Sequence, residues 1–281
     1  MSQSTRNQVP ITMQRRFFLQ LPKLAEQQKI ATFLGSIDTK LNKLRRKRER
    51  LETWKRSLMQ KIFSQQLRFT QDDGTDFFDW EEKKVSDVYR WVKTNSLSRE
   101  KLTCQKGDIQ NIHYGDIHTK YFVQFDQDVA DAPFIKDRKS SKNITETEFC
   151  KNGDIVIADA SEDLDDIGKS IEIINVKSNS LVAGLHTYIA RPKDSFRSGF
   201  SGYLFQSNDF RKQVKRIAQG VSVLGISKTN FEKLDIPQPV PEEQQKIANS
   251  LSSIDKKIQA VTNQITHTET FKKGLLQKMF V

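Results

Sequence analysis

The stretch EEQQKIANSLSSIDKKI, Glu242–Ile258, has a near copy, AEQQKIATFLGSIDTKL, at Ala25–Leu41. The copies lie 217 residues apart with unrelated sequence between them, far beyond the period of a solenoid or propeller, which is roughly 20–50 residues. Aligned without gaps, Leu21–Phe63 and Gln238–Phe280 match at 19 of 43 positions, so the likeness spans the whole segment. Both copies follow prolines (Pro22; Pro237, Pro239 and Pro241) and place Glu in the opening turn. Proline is tolerated at the first helical position and carboxylates favour the positive end of the dipole, so each copy reads as a helix start.

The interior of each copy follows a heptad. Ile30, Ile37, Leu44, Leu51 and Leu58 recur every seven residues, interleaved with Leu34, Leu41, Arg48, Lys55 and Ile62. The second copy has Ile247, Ile254, Val261, Thr268 and Leu275 in one register, with Leu251, Ile258, Ile265, Lys272 and Met279 in the other. Five heptads with mostly apolar a and d positions predict a coiled-coil seam. Each helix would reach about 60 Å at about 1.5 Å per residue. The first leads into the intervening region and the second leaves it, so termini lying close together would return the helices antiparallel. A bland alternative is that both merely complete the core of a bundle.

Residues 70–236 read differently. The turn QDDG, Gln71–Gly74, is expected to stop the first helix. Short β-branched or aromatic runs follow: KYFVQF (Lys120–Phe125), GDIVIA (Gly153–Ala158), SIEIINV (Ser170–Val176) and LHTYIARP (Leu185–Pro192). Turn-forming clusters separate them, which predicts a globular α+β domain flanked by the two helices. GYLFQSNDFRKQVKRIA, Gly202–Ala218, has helical spacing in its second half. The expected organisation is a short leading segment over 1–20, a long helix over 21–69, the globular domain over 70–236 and a second long helix over 237–281.

The net charge of +11 is not spread evenly. Residues 1–63 hold 15 Lys and Arg against 4 Asp and Glu, whereas residues 64–237 hold 25 against 27. A localised basic stretch points to an anionic partner, nucleic acid first. Cys104 and Cys150 are the only cysteines, and with no secretion signal they predict free thiols in the cytoplasm. No apolar run is long enough to span a membrane, so no membrane partner is expected.

The search for catalytic chemistry returns nothing. There is no phosphate-cradling loop and no dinucleotide fingerprint, and the Asn/Asp-Pro-Pro-Tyr/Phe loop expected of an aminomethyltransferase is missing. His113, Asp116 and His118 stand close together in HYGDIH, but one loop needs further ligands to hold a metal. The acidic stretch ADASEDLDD, Ala158–Asp166, lacks EF-hand spacing and reads as a solvated loop. A non-enzymatic chain with no metal and no cofactor of its own is expected.

EQQKIA after a proline-rich entry, then IHYGDIHTKY, GDIVIADASED, LVAGLHTYIARP and AQGVSVLGISKTNFEKLDIPQP, then a second EQQKIA helix, resembles the specificity subunit of type I restriction–modification systems. The resemblance covers nearly the whole chain. It implies a target recognition domain that reads one half of a split double-stranded DNA site, with antiparallel spacer helices that set the distance between the halves. It also implies modification subunits that bring S-adenosylmethionine and methylate adenine, and restriction subunits that use ATP and Mg. The chain departs from the pattern by starting about 20 residues before the first helix, so one recognition domain is expected to be missing, and a second copy of the chain would supply the other half.

On this reading the DNA contacts come from Arg99, Lys101, Lys120, Arg138, Lys139, Lys142 and Asn143, with Lys43, Arg45 and Arg46 along the spacer. These side chains carry the donors that phosphates and base edges require; each also has a plain alternative as a solvated surface residue. Gly220–Ser222 reads as a structural turn. A competing reading is a coiled-coil interaction protein that binds modification subunits without reading DNA.

Overall fold

The computed structural model describes residues 10–17, 21–193 and 198–279. Residues 1–20, which the resemblance makes a remnant of a missing domain, fall partly outside the described residues; within them Ile11–Gln14 is one exposed helical turn. Two helices dominate, Leu24–Phe63 and Pro241–Met279. The chain divides into two compact units, Arg50–Ile258 and Met1–Glu49 with Gln259–Val281. The division falls inside the helices because their inner halves belong to the core of the globular head.

That head is built on a five-stranded sheet ordered Tyr89–Val92, Thr187–Pro192, Ile155–Ala158, Ser170–Asn175, Gln124–Asp126. Neighbours run antiparallel except the last pair, which is parallel. The central strand IVIA is buried on both faces, which is why it reads as an unbroken apolar run. Its side chains alternate between two cores. Ile155 and Ile157 meet Phe200, Tyr203, Leu204 and Phe205 together with Ile62, Ile247, Leu251 and Ile254 of the long helices. Val156 and Ala158 meet Ile112, Ile117, Phe125, Leu181 and Ile189. Full burial of each such aliphatic side chain is worth about 1.5–3 kcal/mol, so the end of the first helix and the start of the second are anchored by the same term that closes the sheet. A four-stranded sheet, Leu181–Ala183, Gln110–Ile112, Phe134–Ile135, Leu102–Thr103, packs beyond. Glu81–Lys84 pairs antiparallel with Asp235–Gln238, bringing the entry and exit of the head together.

The first helix stops earlier than the turn QDDG suggests. Gln65 adopts φ 58°, and the Leu67 N–H returns to the Lys61 carbonyl at 3.0 Å, so the chain leaves the helix after Phe63. Gln71–Gly74 closes a separate turn, with Gly74 N–H on the Gln71 carbonyl.

Two buried carboxylates organise the head. Asp154 takes both arms of Arg191, at 2.8 and 2.7 Å. Glu172 meets no cation among the described residues; its two oxygens accept the backbone N–H groups of Gly199 and Gly202 at the start of Phe200–Phe205. Burial pushes the Glu172 carboxyl up to about 7, against those two hydrogen bonds. Gly199 sits at φ 92°, a left-handed conformation that other residues disfavour.

Candidate nucleic-acid interface and helix pair

The predicted seam residues are buried or half-buried, except Met279 in the last turn, which is exposed. Ile37, Leu41, Ile247, Leu251, Ile254, Ile258, Val261 and Ile265 are buried; Ile30, Leu34, Leu44, Leu51, Leu58 and Leu275 are half-buried. Within each unit the helices run antiparallel. In the outer unit Arg45 pairs with Glu269 at 2.6 Å and Asp38 with Lys272. In the head unit Lys55 Nζ donates to both oxygens of Asp255, at 2.6 and 2.8 Å, and Arg68 reaches Glu243.

Two of these ion pairs are one pair written twice. Asp38 and Asp255 are 217 positions apart, as are Lys55 and Lys272. Each copy of the repeat therefore offers its Asp to the other copy's seam Lys. A charged residue at a seam position is satisfied in one register only, so the paired charges fix the sliding of the helices more than they add stability. The head adds a third partner to its pair: the Tyr203 hydroxyl donates to Asp255 at 2.7 Å. Burial pushes the Tyr203 phenol up, which keeps its proton on as donor.

The helix starts share their local structure and differ in surroundings. Gln27 Nε2 donates to the Pro22 carbonyl at 2.8 Å, and Gln244 Nε2 to the Pro239 carbonyl at 2.8 Å. Glu243 is wholly buried and accepts from Arg68 Nε (3.2 Å), Arg68 Nη2 (3.0 Å) and Trp80 Nε1 (2.9 Å). Its counterpart Glu26 is exposed. The Arg68–Trp80–Glu243 clasp, drawn from three separate segments, was not visible as a sequence motif; the one available signal was that Glu is kept at both helix starts.

The predicted DNA-contacting residues separate into two groups. Arg99 forks onto both oxygens of Asp116, at 2.7 and 2.9 Å, which raises the guanidinium's pKa and ties it to a buried carboxylate. Lys120 is held on the carbonyl and carboxylate of Asp131. Both are thus engaged within the fold. Lys101, Lys139, Lys142 and Asn143 are exposed. The sheet brings Lys101 beside the segment that carries the others: Leu102 pairs with Ile135, and the Lys136 N–H donates to the Lys101 carbonyl at 2.9 Å. Lys136, which opens the basic stretch KDRKSSKN, is exposed in the same place and belongs with this group. The Arg138 side chain lies outside the described ones; its backbone opens the short helix Arg138–Ser141. Lys43, Arg45 and Arg46 line the exposed side of the first helix, with Arg45 engaged by Glu269.

The HYGDIH groups are occupied by the fold. His113 Nδ1 accepts the Gly115 N–H at 3.2 Å, Asp116 holds Arg99, and His118 Nε2 meets the Ala160 carbonyl at 3.1 Å. Burial, then the Arg99 charge, lowers the His113 pKa, so the ring is neutral as its acceptor role requires. Among the described residues no group of three or more His, Cys, Asp or Glu could hold a metal ion. In the acidic stretch Asp165 is taken up by Lys215, which lowers the carboxyl's pKa, and Asp166 by Lys169. No helix among the described residues is long and apolar enough to cross a membrane.

Known proteins match this arrangement. Residues 78–268, more than half the chain, fit the family described as the type I restriction modification DNA specificity domain. The type I restriction enzyme MjaVIII specificity subunit of Methanocaldococcus jannaschii is 26% identical over 269 residues, covering 91% of this chain and 59% of that protein. The MjaIX specificity subunit of the same organism is 26% identical over 203 residues, 72% of this chain and 44% of that one. The chain thus spans 44% to 59% of the length of these relatives. Two solved structures share the fold: the type I restriction–modification S subunit from M. genitalium (TM-score 0.59, 14% identity, 92% of this chain and 62% of that one) and a chain from a structural study of type I R-M complex assembly (TM-score 0.52, 16% identity, 92% and 60%). With its β-rich head between two antiparallel repeat helices, the chain belongs to the type I restriction modification DNA specificity domain family.

Proposed function

We propose that this chain is a non-catalytic specificity subunit of a cytoplasmic type I restriction–modification complex. The head reads one half of a split double-stranded DNA site, and the helix pair docks modification subunits; restriction subunits join through them. S-adenosylmethionine, ATP and Mg are bound by those partners, and a target adenine must leave the duplex to reach the partner's catalytic pocket. One head reads one half-site, so two copies of the chain would complete a two-part site.

The observation that carries this reading is the doubled Asp–Lys pairing across the helices, with Tyr203 keying one pair to the head. Within the head unit the keyed pair holds the two helices in one register, as a part whose task is placement requires. The exposed group around Lys101, Lys136, Lys139 and Lys142 supports a phosphate-contacting edge on the head. Fluorescence anisotropy of the assembled complex on a pool of random duplexes tests it. Binding should enrich a defined sequence and weaken steeply with salt; assembly with no enriched sequence would favour an interaction protein that does not read DNA.

A further inference from the structure

His186 stands just before the strand Thr187–Pro192 with φ 55°, in the left-handed region that glycine enters at least cost. Its side chain is 49% exposed, yet the ring is held on two sides. Tyr114 packs edge-on against it with centroids 5.4 Å apart, and Asp159 Oδ1 meets Nδ1 at 3.2 Å. The backbone doubles the second contact, since the Asp159 N–H donates to the His186 carbonyl at 3.1 Å. A carboxylate only accepts, so Nδ1 carries the proton. The neutral ring then presents the Nε2 lone pair, which meets no partner among the described residues. A strained residue whose ring is fixed in direction, with one acceptor left open, is a pattern found where a side chain has a ligand to meet.

The surroundings suit a nucleic-acid groove. On one side Tyr188, which also faces Asp159, lies under Lys228, whose Nζ is 4.9 Å from the ring centroid. On the other, His113 stacks on Tyr114 at 4.7 Å and touches Arg99 at 3.3 Å, two residues before the exposed Lys101. Cationic groups thus flank His186 on both sides, and the row runs on into the lysine edge of the head. Phosphates at the flanks with a base edge between them is the arrangement that lets one central side chain read sequence. In the major groove adenine N6 and cytosine N4 offer amino donors to an acceptor, whereas guanine and thymine offer oxygens that a lone pair repels.

We propose that His186 is a specificity-determining residue of the head, its Nε2 accepting the exocyclic amino group of one adenine or cytosine, with Asp159 and Tyr114 as positioning residues. The inference rests on the reading of DNA by the head and adds to it a residue and the class of base. Selection of bound sequences from a random duplex pool by the assembled complex, wild type and variant, tests it. The wild type should prefer adenine or cytosine at the position concerned. His186→Gly and His186→Asn both suit the left-handed backbone, so each should hold or raise the thermal midpoint. Each should also lose about 10-fold of the discrimination at that one position, leaving the other positions and the salt slope unchanged. Asp159→Ala should weaken the same position and keep its preferred base. Unaltered preferences in both His186 variants, or a lost position that had favoured guanine or thymine, would overturn the proposal. So would a uniform loss of affinity with a shallower salt slope, which marks a phosphate contact, or failure of both variants to fold, which marks a structural ring. A wild-type complex that enriches no sequence would instead sink the reading of DNA by the head, and this inference with it.

Discussion

Glu26 and Glu243 offer a matched comparison within one chain. They occupy the same place in the repeat and are followed by glutamines that make the same hydrogen bond back to a proline carbonyl. Only Glu243 is buried, with three hydrogen bonds from Arg68 and Trp80. Removing one partner of a buried ion pair costs about 3–5 kcal/mol. Arg68 keeps the Phe77 and Phe78 carbonyls and Asp79 as acceptors, so the low end applies to Glu243→Ala, about 3 kcal/mol. With a urea m-value of about 3 kcal/mol per M, the unfolding midpoint of the head should fall by about 1 M. Glu26→Ala, at an exposed position, should change stability by less than about 0.5 kcal/mol. Urea unfolding followed by tryptophan fluorescence reads the difference, since Trp80 sits in the clasp. Equal shifts in the two variants would refute the claim that the head, and not the local helix start, holds Glu243.

Other outcomes follow from the same structure. Lys55→Met and Asp255→Asn should each destabilise the head unit, and a double-mutant cycle should return a coupling of about 1–3 kcal/mol; additive effects would remove the register role. Glu172 gives a pH dependence. Its folded pKa of about 7 lies above its ordinary 4.5, so the folded state holds an extra proton in between. Stability from this group is present below 4.5 and declines as pH rises towards 7, by about 3 kcal/mol in all. Stability profiles should therefore differ in slope between wild type and Glu172→Gln across that window, and parallel profiles would contradict the assignment. Lys139→Ala and Lys142→Ala should each lower the salt slope of DNA binding by about 1 without loss of stability. Arg99→Ala should instead cost about 1–2 kcal/mol of stability, because it leaves Asp116 without its donor; an unchanged midpoint would return Arg99 to the DNA-facing group.

The helices were legible because periodicity is local. Ile30, Leu34 and Ile37 announce a seam by their spacing alone, and the same holds for Ile247, Leu251 and Ile254. That the two helices pair antiparallel was legible too, but their register was not, since Asp38 meets Lys272 across 234 residues and only the folded chain sets that alignment. The head's strands showed as short β-branched runs, yet the division of IVIA between two cores depends on layers packed from distant segments. Arg99 illustrates the limit for sites. A guanidinium suits a guanine edge and a carboxylate equally well, and Asp116, 17 residues on, takes it. The company of Lys136 with Lys101 was hidden for the converse reason: it arises from strand pairing, not from sequence neighbourhood.

The measurement closest to the central claim is the methylation pattern of a genome in cells that express this chain with its modification subunit. A reading head fixed on a keyed helix pair, present in two copies, predicts adenine methylation at a symmetric two-part sequence with constant spacing. Assembly of the complex with methylation at no defined sequence would contradict the assignment of the head as a reader of DNA.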